Sequence, residues 1–230
     1  MNFIYLSTVT DKRAAALGLA NGEEHRPQAR PVAPTDCAIV RHVELLRTPC
    51  LLLRRWEDSD VPAFFDIYSR DEVARWLGPQ PRRALASPEE ARERLSRWRA
   101  HDRGLDRPLG LWAIVPLDPT AGQAQPPQPA DPVGTLLLLP LTDASGPAGL
   151  VEIGWHLHPG YQGRGLATEA ARAVLAAAAD AGIEQVLALT DLDNTASQAV
   201  ATRLGMHDEG TTDRWFGLTL RQYRRATTAP

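Results

Sequence analysis

Apolar residues recur with two different spacings along this chain of 230 residues. Short apolar runs bounded by charged or turn residues predict strands, and apolar positions three or four residues apart predict helices. The predicted strands span 48–56, 109–117, 132–141, 150–158 and 183–191, with one or two more in 210–225. The predicted helices span 57–78, 87–104, 166–181 and 194–205. This order predicts an α/β or α+β domain around one mixed sheet.

The ends of the helices carry recognisable signals. Asp58 or Ser59 is expected to cap the first helix, and Ser87 the second. Glycines at 182 and 205 are expected to end the third and fourth helices. The third helix is alanine-rich, and its predicted buried face consists of Leu166, Ala170, Ala173, Val174, Ala177 and Ala181.

Two segments differ from the rest of the chain. Residues 1–45 are rich in polar residues, proline and glycine without a sustained period, which predicts a flexible extension. Residues 118–132 form a low-complexity Pro/Gln-rich loop inside the remaining domain, 46–228. A second loop is predicted at 142–149.

Composition argues against several classes of function. The chain is 43% hydrophobic and 23% charged, with a formal net charge of −3, so no basic surface for nucleic acid is expected. Only Cys37 and Cys50 are present, without paired spacing, which predicts a reducing compartment and no disulfide scaffold. The sequence has neither the pattern of a signal peptide nor an apolar run of the ~20 residues that cross a bilayer. These features predict a cytoplasmic protein without nucleic-acid or membrane partners.

The segment Gln162–Ala167 places two glycines directly before the alanine-rich helix. Backbone N–H groups at a helix N-terminus lack intrahelical partners and carry a partial positive charge. Glycines let the chain adopt positive φ beside a ligand. The turn therefore suits a phosphate or pyrophosphate, with Arg164 adding charge at its rim. A tight strand-to-helix turn without a ligand fits the glycine pattern equally well.

Two better-known phosphate loops fit this segment poorly. A P-loop requires G-x-x-x-x-G-K-[ST], and Lys12 is the only lysine in the chain. A dinucleotide-binding loop requires a third glycine where Thr168 stands. It also requires an acidic residue about 20 residues further on, and Asp191 comes later than that.

Several linked motifs resemble the GNAT acetyltransferase superfamily and, within it, the branch of ribosomal-protein N-terminal acetyltransferases. The superfamily loop Q/R-x-x-G-x-G/A corresponds to Gln162–Ala167. The branch signature E-I-G-aromatic, H-P and G-x-A-T-E-A runs from Glu152 to Ala170. D-x-x-N-x-x-S begins at Asp191 and is followed by R-L-G-M ending at Met206. With L-x-L-R-x-W and D-x-D at 51–60, the resemblance covers residues from about 46 to 225 and favours a ligand on the turn.

The resemblance implies a mixed, mostly antiparallel central sheet with two splayed parallel strands, flanked by helices. It also implies acetyl-CoA as acyl donor, with its pantetheine arm between strands 150–158 and 183–191. A backbone N–H near Trp155 to Leu157 would stabilise the oxyanion, and Asn194 would bond the cofactor arm, cap a helix, or do both. The cofactor-binding residues implied are Trp155, Leu157, Gln162, Gly163, Arg164, Gly165, Leu166, Ala167, Thr168, Asn194 and Ser197.

Three side chains are candidates for catalysis. Many family members carry a glutamate at the position of Glu152, which implies either a general base or a carboxylate that positions the incoming ammonium. His156 is a second candidate base, since even spacing places it with Glu152 and His158 on one face of an undistorted strand. Ala201 occupies the position at which many family members carry a tyrosine that acts as the general acid. Ser197 matches the serine of the branch and would donate a proton to the thiolate or bond the sulfur, with solvent as the other proton source. No metal is expected, because the histidines lack a third ligand.

The resemblance implies an acetyl-CoA-dependent N-acetyltransferase, either a monomer or a homodimer. Its acceptor would be a primary amine on a protein N-terminus or a small molecule. The alternative is a non-catalytic acyl-CoA-binding or sensing module, which the missing tyrosine leaves open. Aromatic candidates for the acceptor pocket, most of them expected in the core, are Trp56, Phe64, Phe65, Tyr68, Trp76, Trp112 and Trp215.

Overall fold

A computed structural model describes residues 45–78, 80–117, 131–143 and 145–227. The helices are α1 (Val61–Tyr68), α2 (Asp71–Ala74), α3 (Pro88–Asp102), α4 (Leu166–Asp180) and α5 (Thr195–Arg203). The strands are β1 (Leu46–Arg47), β2 (Leu51–Arg55), β3 (Gly110–Pro116), β4 (Gly134–Asp143), β5 (Gly146–Leu157), β6 (Gln185–Thr190), β7 (His207–Thr212) and β8 (Leu220–Ala226). Residues 1–44 of the predicted extension and 118–130 of the predicted loop lie outside the described residues.

The strands form one sheet in the order β1-β2-β3-β4-β5-β6-β8-β7. Neighbours are antiparallel except for β5 and β6, which α4 connects as a parallel pair. The predicted mixed, mostly antiparallel sheet is thereby confirmed. The predicted loop at 142–149 is largely strand, because β4 continues to Asp143 and β5 begins at Gly146.

Helices cover both faces of the sheet. Alternate residues of a strand point to opposite faces, so Leu136 and Leu138 pack with α4 on one side. Leu137 and Leu139 pack with α1 and α3 on the other. This two-sided burial explains why β4 is a continuous apolar run rather than an alternating pattern.

The alanine-rich helix α4 lies close against the sheet because its inner side chains are small. Ala170, Ala171 and Ala178 are fully buried. The prediction that Ala181 is buried is wrong: it is exposed, since the helix ends at Asp180 and Gly182, with φ of +77°, turns the chain away.

The segment 57–78 is not one continuous helix. A 3-10 turn over Asp58–Asp60 precedes α1, and the chain breaks again before α2. The predicted caps Asp58 and Ser59 are wrong, because Glu57 caps the turn and its N–H donates to the Asp60 carboxylate at 2.8 Å. The Ser87 cap of α3 is confirmed, since its hydroxyl accepts from the N–H of Glu90.

Candidate active site

A gap opens in the sheet where β5 and β6 separate. The two parallel strands pair only at Val151–Val186 and Glu152–Leu187. Beyond Glu152, β5 continues along β4 as far as Leu157, whereas β6 ends at Thr190 and leads to α5. The far half of β5 therefore presents an unpaired edge on the side of β6.

The peptide groups on this edge belong to Trp155 and Leu157. In an antiparallel pair, alternate residues direct both N–H and C=O to the same neighbour. The N–H of His158 donates to Val133 beside β4 at 2.8 Å, and the carbonyl of His156 lies against Gly134 of β4. Leu157 and, two residues earlier, Trp155 therefore direct their peptide groups into the gap, where the carbonyl of Leu157 accepts a hydrogen bond from Nε2 of Gln162 at 3.1 Å.

The glycine turn has the geometry of an anion cradle. Gly163 and Gly165 have φ of +75° and +79°, a region that side chains with Cβ rarely adopt. A Cβ at either position would meet nothing within 4 Å, so backbone conformation requires these glycines. Gly165 is the N-cap of α4 and supplies no side chain to its first N–H groups. These donors therefore face an exposed turn.

A cleft of about 690 Å³, hereafter the main cleft, joins this turn to the gap in the sheet. It brings together ten of the eleven cofactor-binding residues predicted from the sequence, namely Trp155, Leu157, Gln162, Gly163, Gly165, Leu166, Ala167, Thr168, Asn194 and Ser197. Arg164 is the exception. Its guanidinium lies 5.0 Å from the ring of Tyr161 and lines a neighbouring, more open cavity.

Asn194 stands at the N-terminus of α5, on the opposite wall of the main cleft. Its Oδ1 accepts a hydrogen bond from the N–H of Ser197 at 3.1 Å, which is the ordinary N-cap arrangement. The cap thus fixes the Asn194 side chain relative to the backbone of Ser197. Ala201, one turn further on, is fully buried in the core.

A smaller cavity of about 80 Å³, hereafter the inter-strand cavity, lies in the gap between β5 and β6. The Glu152 side chain lines it and is only 6% exposed. The residues that line both this cavity and the main cleft are Trp76, Leu77, Trp155, His156, Asn194 and Ser197. Of the three predicted catalytic side chains, His156 and Ser197 therefore lie where the two cavities meet, and Glu152 lies in the inter-strand cavity alone.

The two histidines of β5 have different surroundings. Nδ1 of His156 lies 3.1 Å from the hydroxyl of Tyr68, and burial lowers the pKa of His156 to about 4. His158 instead accepts from the N–H of Gly160 at 3.0 Å and places Nε2 3.3 Å from Asp66. His158 lines neither cavity, so of the pair only His156 reaches the site.

Sequence reasoning missed Arg82, which has no motif around it. Its guanidinium, 7% exposed, bonds Asp191 at 2.9 Å and also the carbonyls of Arg75 and Gly78 at 2.8 and 3.0 Å. These bonds tie the segment that carries Trp76 and Leu77 to the end of β6. Trp76 is also the only one of the aromatic acceptor candidates that lines either cavity.

We expect Arg82→Met to lower the free energy of unfolding by about 2 kcal/mol, because it removes charge-assisted bonds from a buried site while keeping the side-chain length. Urea unfolding followed by fluorescence measures this. Arg221→Met is the matched control, since it removes an exposed pair with Asp208 and should unfold at nearly the wild-type urea concentration. Equal midpoints for both variants would contradict the structural role of Arg82.

Two further features of the structure concern metal-binding clusters and membrane-spanning helices. In the described ranges, no three His, Cys, Asp or Glu side chains come together in a metal-binding arrangement. Within the same ranges, no helix combines the length and the apolar character needed to span a bilayer.

The sheet has one splayed parallel pair, and a cleft joins this pair to the anion cradle. This combination is expected of a transferase that binds acyl-CoA. A family model described as the acetyltransferase (GNAT) domain matches residues 51–207. The chain therefore belongs to the GNAT acetyltransferases, enzymes that use acetyl-CoA as the acetyl donor.

Solved structures agree with this assignment of the fold. A GNAT-family acetyltransferase from Bacillus anthracis is 20% identical, with 80% of this chain and 98% of that chain covered at a TM-score of 0.60. An acetyltransferase from Salmonella typhimurium that modifies the N-terminal serine of a 50S ribosomal subunit protein is 20% identical, with coverage of 80% and 99% and a TM-score of 0.59. RimL, a ribosomal-protein alpha-N-acetyltransferase solved in complex with coenzyme A, is 21% identical, with coverage of 80% and 98% and a TM-score of 0.58. The fold that the predicted resemblance implied is thereby confirmed.

Proposed function

We propose that this acetyltransferase moves the acetyl group of acetyl-CoA to a primary amine by direct attack of the amine on the thioester. The observation that carries the proposal is the junction of the two cavities. The main cleft leads from the glycine turn to His156 and Ser197, and the inter-strand cavity leads from the same residues to Glu152. Donor and acceptor would therefore meet with a carboxylate beside them.

The main cleft fits the shape of the donor. Its pyrophosphate would bind the N–H groups of the turn at Gly163 and Gly165, where the dipole of α4 favours negative charge. The amide-containing arm would run along the open edge of β5 and pair with the peptide groups of Trp155 and the N–H of Leu157. Asn194, already oriented as a helix cap, would bond the arm from the opposite wall.

The chemistry requires two proton movements. Attack forms the N–C bond and moves the carbonyl π electrons onto oxygen, where a peptide N–H on the edge of β5 stabilises the charge. Collapse breaks the C–S bond, and the electron pair leaves on sulfur. Glu152, directly or through one water, takes the proton that the amine nitrogen must lose. Ser197 or solvent protonates the thiolate, whose conjugate thiol has a pKa of about 8.5 in its ordinary state.

The acceptor class is a protein N-terminus or a small-molecule amine. RimL and the Salmonella protein act on ribosomal proteins, which supports the first of these. Glu152 lines the inter-strand cavity and would attract an ammonium group, whereas Asp191 in the same cavity is paired with Arg82. A cytoplasmic location and a monomeric or homodimeric state remain predictions.

Thiol release from acetyl-CoA, measured with a panel of amines, tests this function. The panel holds peptides with a free N-terminus, the same peptides blocked at the N-terminus, a polyamine, an amino sugar and free amino acids. We expect release that depends on one class and a product heavier by one acetyl group. If acetyl-CoA binds and no amine class is acetylated, the non-catalytic acyl-CoA-binding module is the correct function instead.

A thermal melt tests the donor site separately. We expect acetyl-CoA at 100 times its Kd to stabilise the protein by about 2.7 kcal/mol, a rise in Tm of a few degrees for a domain of this size. Acetate and adenosine, which lack the pyrophosphate, serve as controls and should leave the Tm unchanged. An unchanged Tm at millimolar acetyl-CoA would contradict the assignment of the main cleft.

A further inference from the structure

A chain of three polar side chains, two of them buried, leads to the junction of the two cavities. The Tyr68 hydroxyl lies 2.7 Å from Oγ1 of Thr135 and 3.1 Å from Nδ1 of His156. Tyr68 and Thr135 are 1% and 0% exposed. They come from different layers, because Tyr68 ends α1 and Thr135 lies opposite His156 in the register of β4 and β5.

Counting protons determines the direction of these bonds. In the described part of the chain, Tyr68 is the single hydrogen-bond partner of Thr135 Oγ1. If Tyr68 donated to Thr135, the buried threonine proton would have no acceptor, which folded proteins avoid. If Thr135 donates to Tyr68 and Tyr68 donates to His156, both hydroxyl protons are used. Nδ1 is then the acceptor, and the proton of the neutral imidazole lies on Nε2.

The imidazole of His156 stays neutral near neutral pH. Burial lowers the pKa of His156 to about 4, and burial also raises the pKa of Tyr68, which keeps its hydroxyl protonated. Thr135 is uncharged on the β4 side. The ionisable groups that line the same two cavities are Glu72, Arg75, Arg82, Glu152, Asp191, Asp193 and Arg203.

The other ring nitrogen is available to a substrate. Nδ1 is engaged by Tyr68, whereas Nε2 makes no hydrogen bond with any described residue and is not among the buried, unpartnered atoms. His156 lines both the main cleft and the inter-strand cavity. An N–H at this position therefore faces the place where the thioester and the amine would meet.

We propose that His156 is a neutral hydrogen-bond donor to the thioester carbonyl oxygen, and that Tyr68 and Thr135 are positioning residues that set its tautomer. This rests on the proposed acetyl transfer. As the N–C bond forms, the π electrons move to the oxygen, and the Nε2–H bond strengthens the stabilisation given by the strand edge. The proton stays on Nε2 throughout. His156 is then a donor rather than the alternative base, and Glu152 keeps that role alone.

Nitrogen NMR of protein labelled with ¹⁵N in histidine tests the tautomer without any substrate. The chain has six histidines, and His156→Gln identifies the signals of His156 by their loss. Between pH 6 and 8 we expect the protonated nitrogen of His156 to be Nε2, and Tyr68→Phe to shift the tautomer equilibrium. A proton on Nδ1 in the wild-type protein overturns the proposal, and so does an unchanged spectrum of Tyr68→Phe in a variant that melts cooperatively.

Turnover tests the role of the donor. Glutamine can place an amide N–H close to the position of Nε2, so His156→Gln should keep most of the activity, whereas His156→Ala should lose about 100-fold in kcat. Neither should change the acidic limb of the pH profile. Equal losses in both variants, with that acidic limb removed, would identify a base and overturn the proposal. If the wild-type protein acetylates no amine, the proposed function fails while the NMR result still stands.

Discussion

Replacing Glu152 by glutamine is expected to lower kcat by 100-fold or more, the usual contribution of a general base. Glutamine has nearly the same shape and still forms hydrogen bonds, but it accepts no proton at neutral pH. The position of the carboxylate supports this role. Glu152 is paired in register with Leu139 of β4 and with Leu187 of β6, and the strands separate directly after it. Its backbone is therefore fixed from both sides at the entrance to the gap.

Steady-state kinetics at saturating acetyl-CoA, together with direct binding of acetyl-CoA, measure this effect. The Kd for acetyl-CoA should stay within about twofold, because Glu152 lines the inter-strand cavity and not the main cleft. Glu184→Gln, an exposed carboxylate just before β6, is the matched control and should behave as wild type. A raised KM for the amine at unchanged kcat would instead identify a carboxylate that only positions the ammonium.

The local features of the site could be predicted from sequence because they depend on neighbours along the chain. The positive φ of Gly163 and Gly165, the start of α4 and the cap at Asn194 all follow from residue types within a few positions. The face that each side chain of β5 occupies also follows from alternation, so Glu152, His156 and His158 were expected on one face of an undistorted strand. These features are sufficient to predict the fold family and the residues of the main cleft.

The contacts that connect distant segments could not be predicted in this way. Tyr68 meets His156 across 88 positions and Arg82 meets Asp191 across 109, and neither pair has a spacing that indicates contact. Tyr68 was expected among packing or pocket aromatics. In the structure its ring packs between Phe64 and Trp98, and its hydroxyl forms the hydrogen bond with His156. A side chain with an apolar body and one polar tip allows both roles, and only tertiary structure shows which atom reaches the site.

The even spacing of His158 was similarly insufficient to place it in the site. The strand ends at Leu157, and the following 3-10 turn at Pro159–Tyr161 takes Nδ1 of His158 as its cap. The imidazole is therefore committed to the backbone of the turn that precedes the glycines. His158 therefore stabilises the turn that leads to the anion cradle. The alternation of residues along a strand does not predict this role.

Replacing Gly165 by glutamate is expected to weaken acetyl-CoA binding by 100-fold or more and to abolish the thermal shift. The substitution places a carboxylate at the N-terminus of α4, where the pyrophosphate would bind, so two anions compete for the same N–H groups. Gly165 is exposed, and a Cβ there meets nothing within 4 Å, so steric disruption of the core is not expected. The remaining cost is the left-handed backbone, about 1–2 kcal/mol for a residue with a Cβ.

Gly182→Glu controls for that backbone cost at the other end of the same helix. Gly182 has φ of +77° and the same open surroundings, so strain and added charge are matched. The helix dipole favours a carboxylate at the N-terminus and disfavours one at the C-terminus, so the control should be the less stable of the two variants. Isothermal titration with acetyl-CoA should nevertheless find wild-type affinity for Gly182→Glu and almost none for Gly165→Glu. Similar affinities in both variants would mean that the turn at 162–167 does not hold the pyrophosphate.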